Sequence, residues 1–116
     1  MTRIRIALVA TLALFVAAAP AAARPQKVTA TTVTVKMTEF KFGLSKSSVP
    51  HGKITFKLVN KGKLAHDFEI GTKKSPHIAP GKTGTLTLTL AKGRHPYKCT
   101  IDGHAKAGMK GILHVT

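Results

Sequence analysis

Cysteine is nearly absent from this chain, whose 116 residues include a single one, Cys99. One thiol cannot form an intramolecular disulfide, although small exported domains usually depend on disulfides for stability. The length leaves room for one domain and excludes a two-domain enzyme. If the chain is exported, its free thiol is prone to oxidation, which favours a thiolate with a function over an idle one.

Acidic residues and large aromatic side chains are also scarce. Four Asp and Glu stand against 19 Lys and Arg, which gives a formal net charge of +15, and the chain has one Tyr and no Trp. With so few aromatic residues and no recognisable binding motif, we do not expect nucleic acid as a partner. Two interpretations of the positive charge remain open. It provides a solvated surface that resists aggregation, or it attracts an acidic protein, an anionic membrane or an anionic cell wall.

No apolar run is long enough for a typical membrane-spanning helix. The run at residues 6–19 falls short of the ~20 residues that such a helix needs. Arg3 and Arg5 precede it and small residues follow it, an order typical of a secretory signal peptide. We therefore predict a signal peptide at residues 1–23, cleaved before Arg24, rather than a permanent anchor. The expected location is the periplasm, the extracellular space or the cell envelope.

An amphipathic helix is missing from the rest of the chain, whose hydrophobic period is two. Residues 24–31 are a polar lead-in, and residues 32–116 form the predicted domain. Turn signals rich in Pro and Gly separate its strands. In a domain of this size, short antiparallel strands predict an all-β fold, a two-sheet Greek-key β-sandwich. Apolar residues alternate with Thr, Lys or acidic residues in runs at 32–38, 53–59, 64–70 and 85–90, and shorter pairs occur at 97–99 and 113–115.

Three potential metal ligands lie close together near the C-terminus. Cys99, His104 and Met109 are separated by four residues in each gap. One strand is predicted to end near Cys99 and another to start near Gly111, so residues 100–110 form a loop that closes a hairpin. The side chains of this loop can converge on one point, and glycines at positions 103, 108 and 111 permit the tight turns that it needs.

His66 is a fourth candidate, because the alternation at 64–70 places it on the inward face between Leu64 and Phe68. An inward histidine is more often a core residue with a satisfied hydrogen bond. At His66 this interpretation is weaker, because an inward Cys99 and the loop residues His104 and Met109 favour a metal ligand instead. Two imidazoles, one thiolate and a weak thioether form the ligand set of a mononuclear blue copper site, so we expect one copper ion. Structural zinc sites usually carry more thiolates, and a dinuclear copper centre would need a second cysteine.

These residues give the chain a resemblance to the cupredoxin family, which includes plastocyanin and azurin. The resemblance covers residues 32–116, and the spacing of the loop is nearest to that of rusticyanin and auracyanin. It implies that His66, Cys99 and His104 lie in the trigonal plane of a type 1 copper site, with Met109 as the axial ligand. It also implies transfer of single electrons in an exported compartment.

Two residues depart from the family pattern. Asp67 follows the first histidine, where Asn or Ser is common, and we expect it to accept a hydrogen bond from the Thr100 backbone or hydroxyl. Its negative charge near the thiolate would favour Cu(II) and lower the reduction potential. Asp102 occupies a position where many relatives have proline, so we expect a less rigid loop.

Three functions are compatible with these sequence features. The first is an exported blue-copper protein that shuttles single electrons between redox partners, and the second is a copper carrier or buffer that delivers metal without redox cycling. The third is a metal-free cationic adhesion or envelope domain. An enzyme is not expected, because four protein ligands leave no open position for a substrate. We expect a monomer whose acidic redox partner docks near Lys106 and Lys110, where the edge of the His104 ring reaches the surface.

Overall fold

A computed structural model of the chain describes residues 11–15 and 30–116. The predicted cleavage site and most of the lead-in lie outside these ranges. Within them the regular structure is β-strand, and no helix is long and apolar enough to cross a membrane. Three apolar side chains of residues 11–15 are 78–96% exposed and contribute nothing to the core: Leu12, Leu14 and Phe15.

Nine strands are found in the described part of the chain, and they form two sheets. Their bounds are β1 Thr31–Thr38, β2 Lys41–Leu44, β3 Ser48–Val49, β4 Gly52–Asn60, β5 Glu69–Ile70, β6 Lys73–Lys74, β7 Thr83–Leu90, β8 Gly93–Lys98 and β9 Lys110–Val115. The first sheet has the strand order β2-β1-β4-β7, and the second has the order β3-β9-β8-β5-β6. The predicted all-β sandwich is confirmed.

The expectation of purely antiparallel pairing is wrong at two places. β1 pairs in parallel with β4, and β3 pairs in parallel with β9. After β2 the chain leaves the first sheet, adds β3 to the edge of the second sheet and returns as β4. Because this connection crosses between the sheets instead of turning in a hairpin, β4 runs in the same direction as β1.

The core lies between the sheets and follows the period of two. In β1 the residues Val33, Val35 and Met37 are fully buried, while the residues between them face solvent. β4 repeats the pattern, and Phe56 at its centre packs against Phe68 with ring centroids 5.0 Å apart. Each such buried side chain stabilises the fold by roughly 1.5–3 kcal/mol relative to an exposed one, so the stability of the sandwich depends on these apolar faces.

The predicted strand at 64–70 is mostly irregular, which corrects the alternation proposed for it. Leu64 is 46% exposed, His66 makes an isolated bridge to Ile78, and regular pairing begins only at β5. Side chains bind the backbone here in place of a neighbouring strand. The buried Asn60 side chain donates to the carbonyl of Leu64 at 2.8 Å and to that of Ile78 at 2.7 Å. The segment is therefore fixed without being a strand.

Candidate metal centre

Three predicted ligands meet at one end of the sandwich. The Nδ1 atoms of His66 and His104 lie 3.2 Å apart, and Sγ of Cys99 lies 3.5 Å from Nδ1 of His104. All three donor atoms are within 4.8 Å of one another. The residues are 0%, 8% and 1% exposed for His66, His104 and Cys99, so the cluster is almost closed to water.

The loop between β8 and β9 carries two of these donors, as the sequence predicted. β8 ends at Lys98 and β9 begins at Lys110. Backbone hydrogen bonds cross the loop from Cys99 N to Met109 O at 3.1 Å and from Met109 N to His104 O at 3.0 Å. The backbones of the three loop residues with potential ligand atoms are thus bonded to one another.

Met109 is fully buried; its backbone N–H donates to the carbonyl of His104, and its carbonyl accepts the N–H of Cys99. These bonds hold it directly next to Cys99 across the base of the loop. Its role as an axial ligand remains a prediction.

Two of the three loop glycines adopt backbone conformations that other residues rarely reach. Gly103 has φ +81° and Gly108 has φ +119°, which agrees with tight turns at these positions. Gly111 was expected to serve the same purpose, but it lies within β9 and pairs with Tyr97. It is a strand residue, so its part in the turn was wrongly predicted.

Asp67 links the segment of His66 to the segment of Cys99. Its Oδ1 accepts the backbone N–H of Thr100 at 2.6 Å, and its Oδ2 accepts the Thr100 hydroxyl. The exposed His77 adds a contact, with Nε2 3.5 Å from Oδ2. Asp67 is fully buried, so the charge lies inside the protein beside the cluster.

Burial favours the neutral forms of two donors, Cys99 and His66. It raises the pKa of the Cys99 thiol, and the negative charge of Asp67 adds to the rise, while backbone hydrogen bonds oppose it. Burial also lowers the pKa of His66. A cluster without metal therefore favours a thiol and a neutral imidazole, and an ion that binds there has to displace the thiol proton.

Glu39 contacts the cluster but was not found by sequence reasoning. Its Oε1 accepts the backbone N–H groups of Lys63 at 2.6 Å and Leu64 at 2.8 Å, and it lies 3.4 Å from Nε2 of His66. The N–H groups of Leu64 and Lys63 lower the pKa of Glu39 to about 2, so this carboxylate is ionised at neutral pH. A glutamate in a hairpin turn gives no signal of such a contact in the sequence.

Phe40, the next residue, was also missed. Its ring packs edge-on against His104, with centroids 5.2 Å apart and an interplanar angle of 74°. Its φ is 60°, and it is the one non-glycine residue with positive φ in the described ranges. Phe40 is 38% exposed whereas His104 is 8% exposed, so the Phe40 ring shields part of the imidazole from solvent.

The donor chemistry fits one copper ion. Two imidazole nitrogens and one sulfur converge in a buried site, and the fully buried Met109 lies in the same loop. This combination of borderline and soft donors is typical of blue copper sites, and it holds fewer thiolates than most structural zinc sites.

Comparisons with solved structures agree with this assignment of the fold. Auracyanin B is similar with a TM-score of 0.65 at 22% identity, over 74% of this chain and 88% of that protein. Dithionite-reduced auracyanin from the photosynthetic bacterium Roseiflexus castenholzii is similar with a TM-score of 0.63 at 22% identity, over 74% of this chain and 97% of that one. The blue copper oxidase from Nitrosomonas europaea is similar with a TM-score of 0.60 at 16% identity, over 74% of this chain and 38% of that one.

At the level of whole sequences, no curated protein is similar enough to count as a match. A family model described as a cupredoxin-like domain matches residues 5–113, which include every donor of the cluster. The chain therefore belongs to the cupredoxin-like family.

Proposed function

We propose that this protein is an exported mononuclear blue-copper protein that shuttles single electrons between redox partners. The observation that carries the proposal is the convergence of His66, Cys99 and His104, whose donor atoms lie within 4.8 Å of one another in a buried site. One of the similar structures is an auracyanin in a form reduced by dithionite, so a protein of this fold accepts electrons. The N-terminal pattern at residues 1–23 supports export.

The protein's own residues keep the donors in place. Asp67 bonds Thr100 next to Cys99, and the loop backbone joins Cys99, His104 and Met109. Bound copper would supply the one-electron couple, for which thiolate and thioether favour Cu(I) while imidazole suits both oxidation states. Since the donors are held by bonds that do not involve the metal, little rearrangement is needed when the charge of the site changes.

A carrier is a better interpretation than an oxidase. The chain aligns with only 38% of the blue copper oxidase from Nitrosomonas europaea, so it lacks a counterpart to most of that protein. With Met109 as fourth ligand the site has no open position for a substrate. The buried cluster also differs from the open sites expected of proteins that hand copper to another protein.

The test is the visible spectrum and the redox behaviour of the purified protein loaded with Cu(II). A carrier is expected to show an intense thiolate-to-copper band that disappears on one-electron reduction and returns on oxidation, with the copper retained throughout. A weak band, or loss of the ion at each reduction, would instead support the copper carrier or buffer.

The thioether of Met109 is expected to tune the site at longer range. Met109→Leu should keep copper bound and raise the reduction potential, because a weak donor to Cu(II) is lost, whereas Met109→Gln should lower the potential. The Leu replacement nearly conserves volume and should cost less than about 1.5 kcal/mol of stability. Voltammetry of the native protein and the two variants measures the order of their reduction potentials. If Met109→Leu cannot hold copper, Met109 is a primary ligand and the site is of another type.

We further propose that an acidic redox partner docks at the exposed edge of the copper loop. His104 is 8% exposed whereas His66 is fully buried, so the loop histidine offers the shorter path to the surface. Lys106 is exposed on the same loop, and Lys110 is exposed at the end of the loop, where β9 begins. Opposite charges steer encounter and raise association rates, an effect that salt weakens.

Reversing these two charges is expected to slow electron transfer to an acidic partner. Lys106→Glu combined with Lys110→Glu should lower the bimolecular rate at low ionic strength by about tenfold or more, and it should flatten the salt dependence. Stopped-flow kinetics at several salt concentrations measures both. The matched control carries the same charge change at the opposite end of the sandwich, Lys53→Glu with Lys92→Glu. Equal slowing in the control would mean that net charge, and not this surface, controls the rate.

A further inference from the structure

The turn between β1 and β2 contacts both histidines of the cluster. Glu39 and Phe40 are the two residues between Thr38 and Lys41, which pair with each other. Two-residue hairpin turns with positive φ usually contain Asn or Gly, yet Phe40 adopts φ 60° here. This turn sequence is therefore not explained by local backbone preference, and its contacts supply the reason.

The two ring nitrogens of His66 face different partners. Nδ1 lies 3.2 Å from Nδ1 of His104, inside the cluster, while Nε2 lies 3.4 Å from Oε1 of Glu39. A neutral imidazole carries one proton, and the nitrogen that binds a metal must be free of it. The proton therefore has to be on Nε2 for His66 to offer Nδ1, and Glu39 is the acceptor placed there.

Glu39 is held in this position independently of His66. The backbone N–H groups of Lys63 and Leu64 donate to the same Oε1 at 2.6 and 2.8 Å. Lys63 precedes and Leu64 begins the segment at residues 64–70 that carries His66, which is irregular and lacks the support of a full strand ladder. The carboxylate thus joins the β1–β2 turn to this segment.

We propose that Glu39 is a positioning residue for His66, holding the Nε2–H tautomer and the ring orientation so that Nδ1 is presented to copper. Its negative charge also favours the oxidised ion. Metal-bound histidines commonly donate their other N–H to a carboxylate or carbonyl, and loss of that partner weakens metal binding about 10- to 100-fold. The copper part of the proposal rests on the proposed function, whereas the tautomer is a property of the metal-free protein.

The first test reads the histidine tautomers of the metal-free protein by heteronuclear NMR with isotope-labelled histidine. The native protein is expected to show His66 as the Nε2–H tautomer, which leaves its Nδ1 to accept a hydrogen bond from His104. In Glu39→Ala this preference should be lost. An Nδ1–H tautomer in the native protein, or an unaltered Nε2–H tautomer in Glu39→Ala, would overturn the proposal.

The second test measures copper affinity and potential. Glu39→Ala should bind Cu(II) about 10- to 100-fold more weakly, with a smaller loss for Cu(I). Glu39→Gln keeps an oxygen that accepts the same hydrogen bonds but lacks the charge, so it should retain the tautomer and the fold while the reduction potential rises. A native potential in Glu39→Gln would refute the electrostatic part, and this variant remains informative if Glu39→Ala does not fold.

Glu69 provides the matched control. It is a glutamate on the second sheet whose carboxylate lies 4.0 Å from Lys98 Nζ, outside the donor cluster. Glu69→Gln removes the same charge and should change neither the His66 tautomer nor the Cu(II) affinity. A protein that binds copper and shows the expected tautomer without exchanging electrons would contradict only the carrier function. A blue electron carrier with an unaltered tautomer in Glu39→Ala would contradict only the role of Glu39.

Discussion

Replacing Cys99 with serine is expected to abolish the intense visible absorption of the copper-loaded protein while the sandwich stays folded. The band requires a thiolate bonded to copper, and Cys99 is the only thiol in the chain. Cys99 is one member of the buried core, but most of that core consists of Val, Ile, Leu and Phe side chains, so the sandwich does not depend on the thiol alone. We expect the free energy of unfolding of the metal-free protein to fall by about 1 kcal/mol, the usual effect of one altered buried polar group.

Absorption spectroscopy and denaturant unfolding of Cys99→Ser measure these two effects separately. His114→Ala is the control, because His114 is an exposed histidine of β9 and should leave the colour unchanged. An intense band that survives in Cys99→Ser would rule out a copper–thiolate site. A loss of colour caused by unfolding would appear in the denaturation curve of the metal-free variant.

The long strands could be predicted because one face of each packs on the core. Alternation located β1, β4 and β7, whose inward residues are more buried than their neighbours. The short strands β2, β3 and β6 were missed. They hold four, two and two residues, and a period of two cannot be recognised over such lengths.

The segment that carries His66 shows why alternation can mislead. Its pattern resembles a strand, yet Leu64 is exposed and the backbone binds the side chains of Asn60 and Glu39. The same irregular course places His66 against Ile78 and beside the copper loop. Sequence patterns record which side chains are apolar, but they do not record side-chain bonds to a distant backbone.

The donor cluster was predictable because its residue types are chemically specific. Cysteine, histidine and methionine at equal spacing in one loop indicate a soft metal, whatever the details of the strands. Glu39 and Phe40 lacked such a signal, since charged and aromatic side chains in turns are usually solvated. The role of Glu39 depends on a contact with His66, 27 positions later in the chain, and that of Phe40 depends on its positive φ; only the folded chain reveals either.

Asp67 is expected to be important both for stability and for the potential of the site. Asp67→Ala leaves the backbone N–H and the hydroxyl of Thr100 without their acceptor, in a part-buried position. Hydrogen bonds to a buried charge are among the stronger ones, so the free energy of unfolding should fall by about 2–4 kcal/mol. Denaturant unfolding of the metal-free protein measures this loss, and a change below about 0.5 kcal/mol would show that the link between the two segments is dispensable.

Asp67→Asn separates the charge from the hydrogen bonds. The amide oxygen can still accept the Thr100 N–H, so most of the stability should remain, while the negative charge beside Cys99 is lost. Because that charge favours Cu(II), its removal should raise the reduction potential. The chain offers a matched control in Asp102→Asn, the same replacement at an exposed position of the copper loop. Solvent screens the charge at position 102, so its removal should move the potential much less. Equal shifts in the two variants would mean that the potential responds to overall charge and that burial of Asp67 has no special effect.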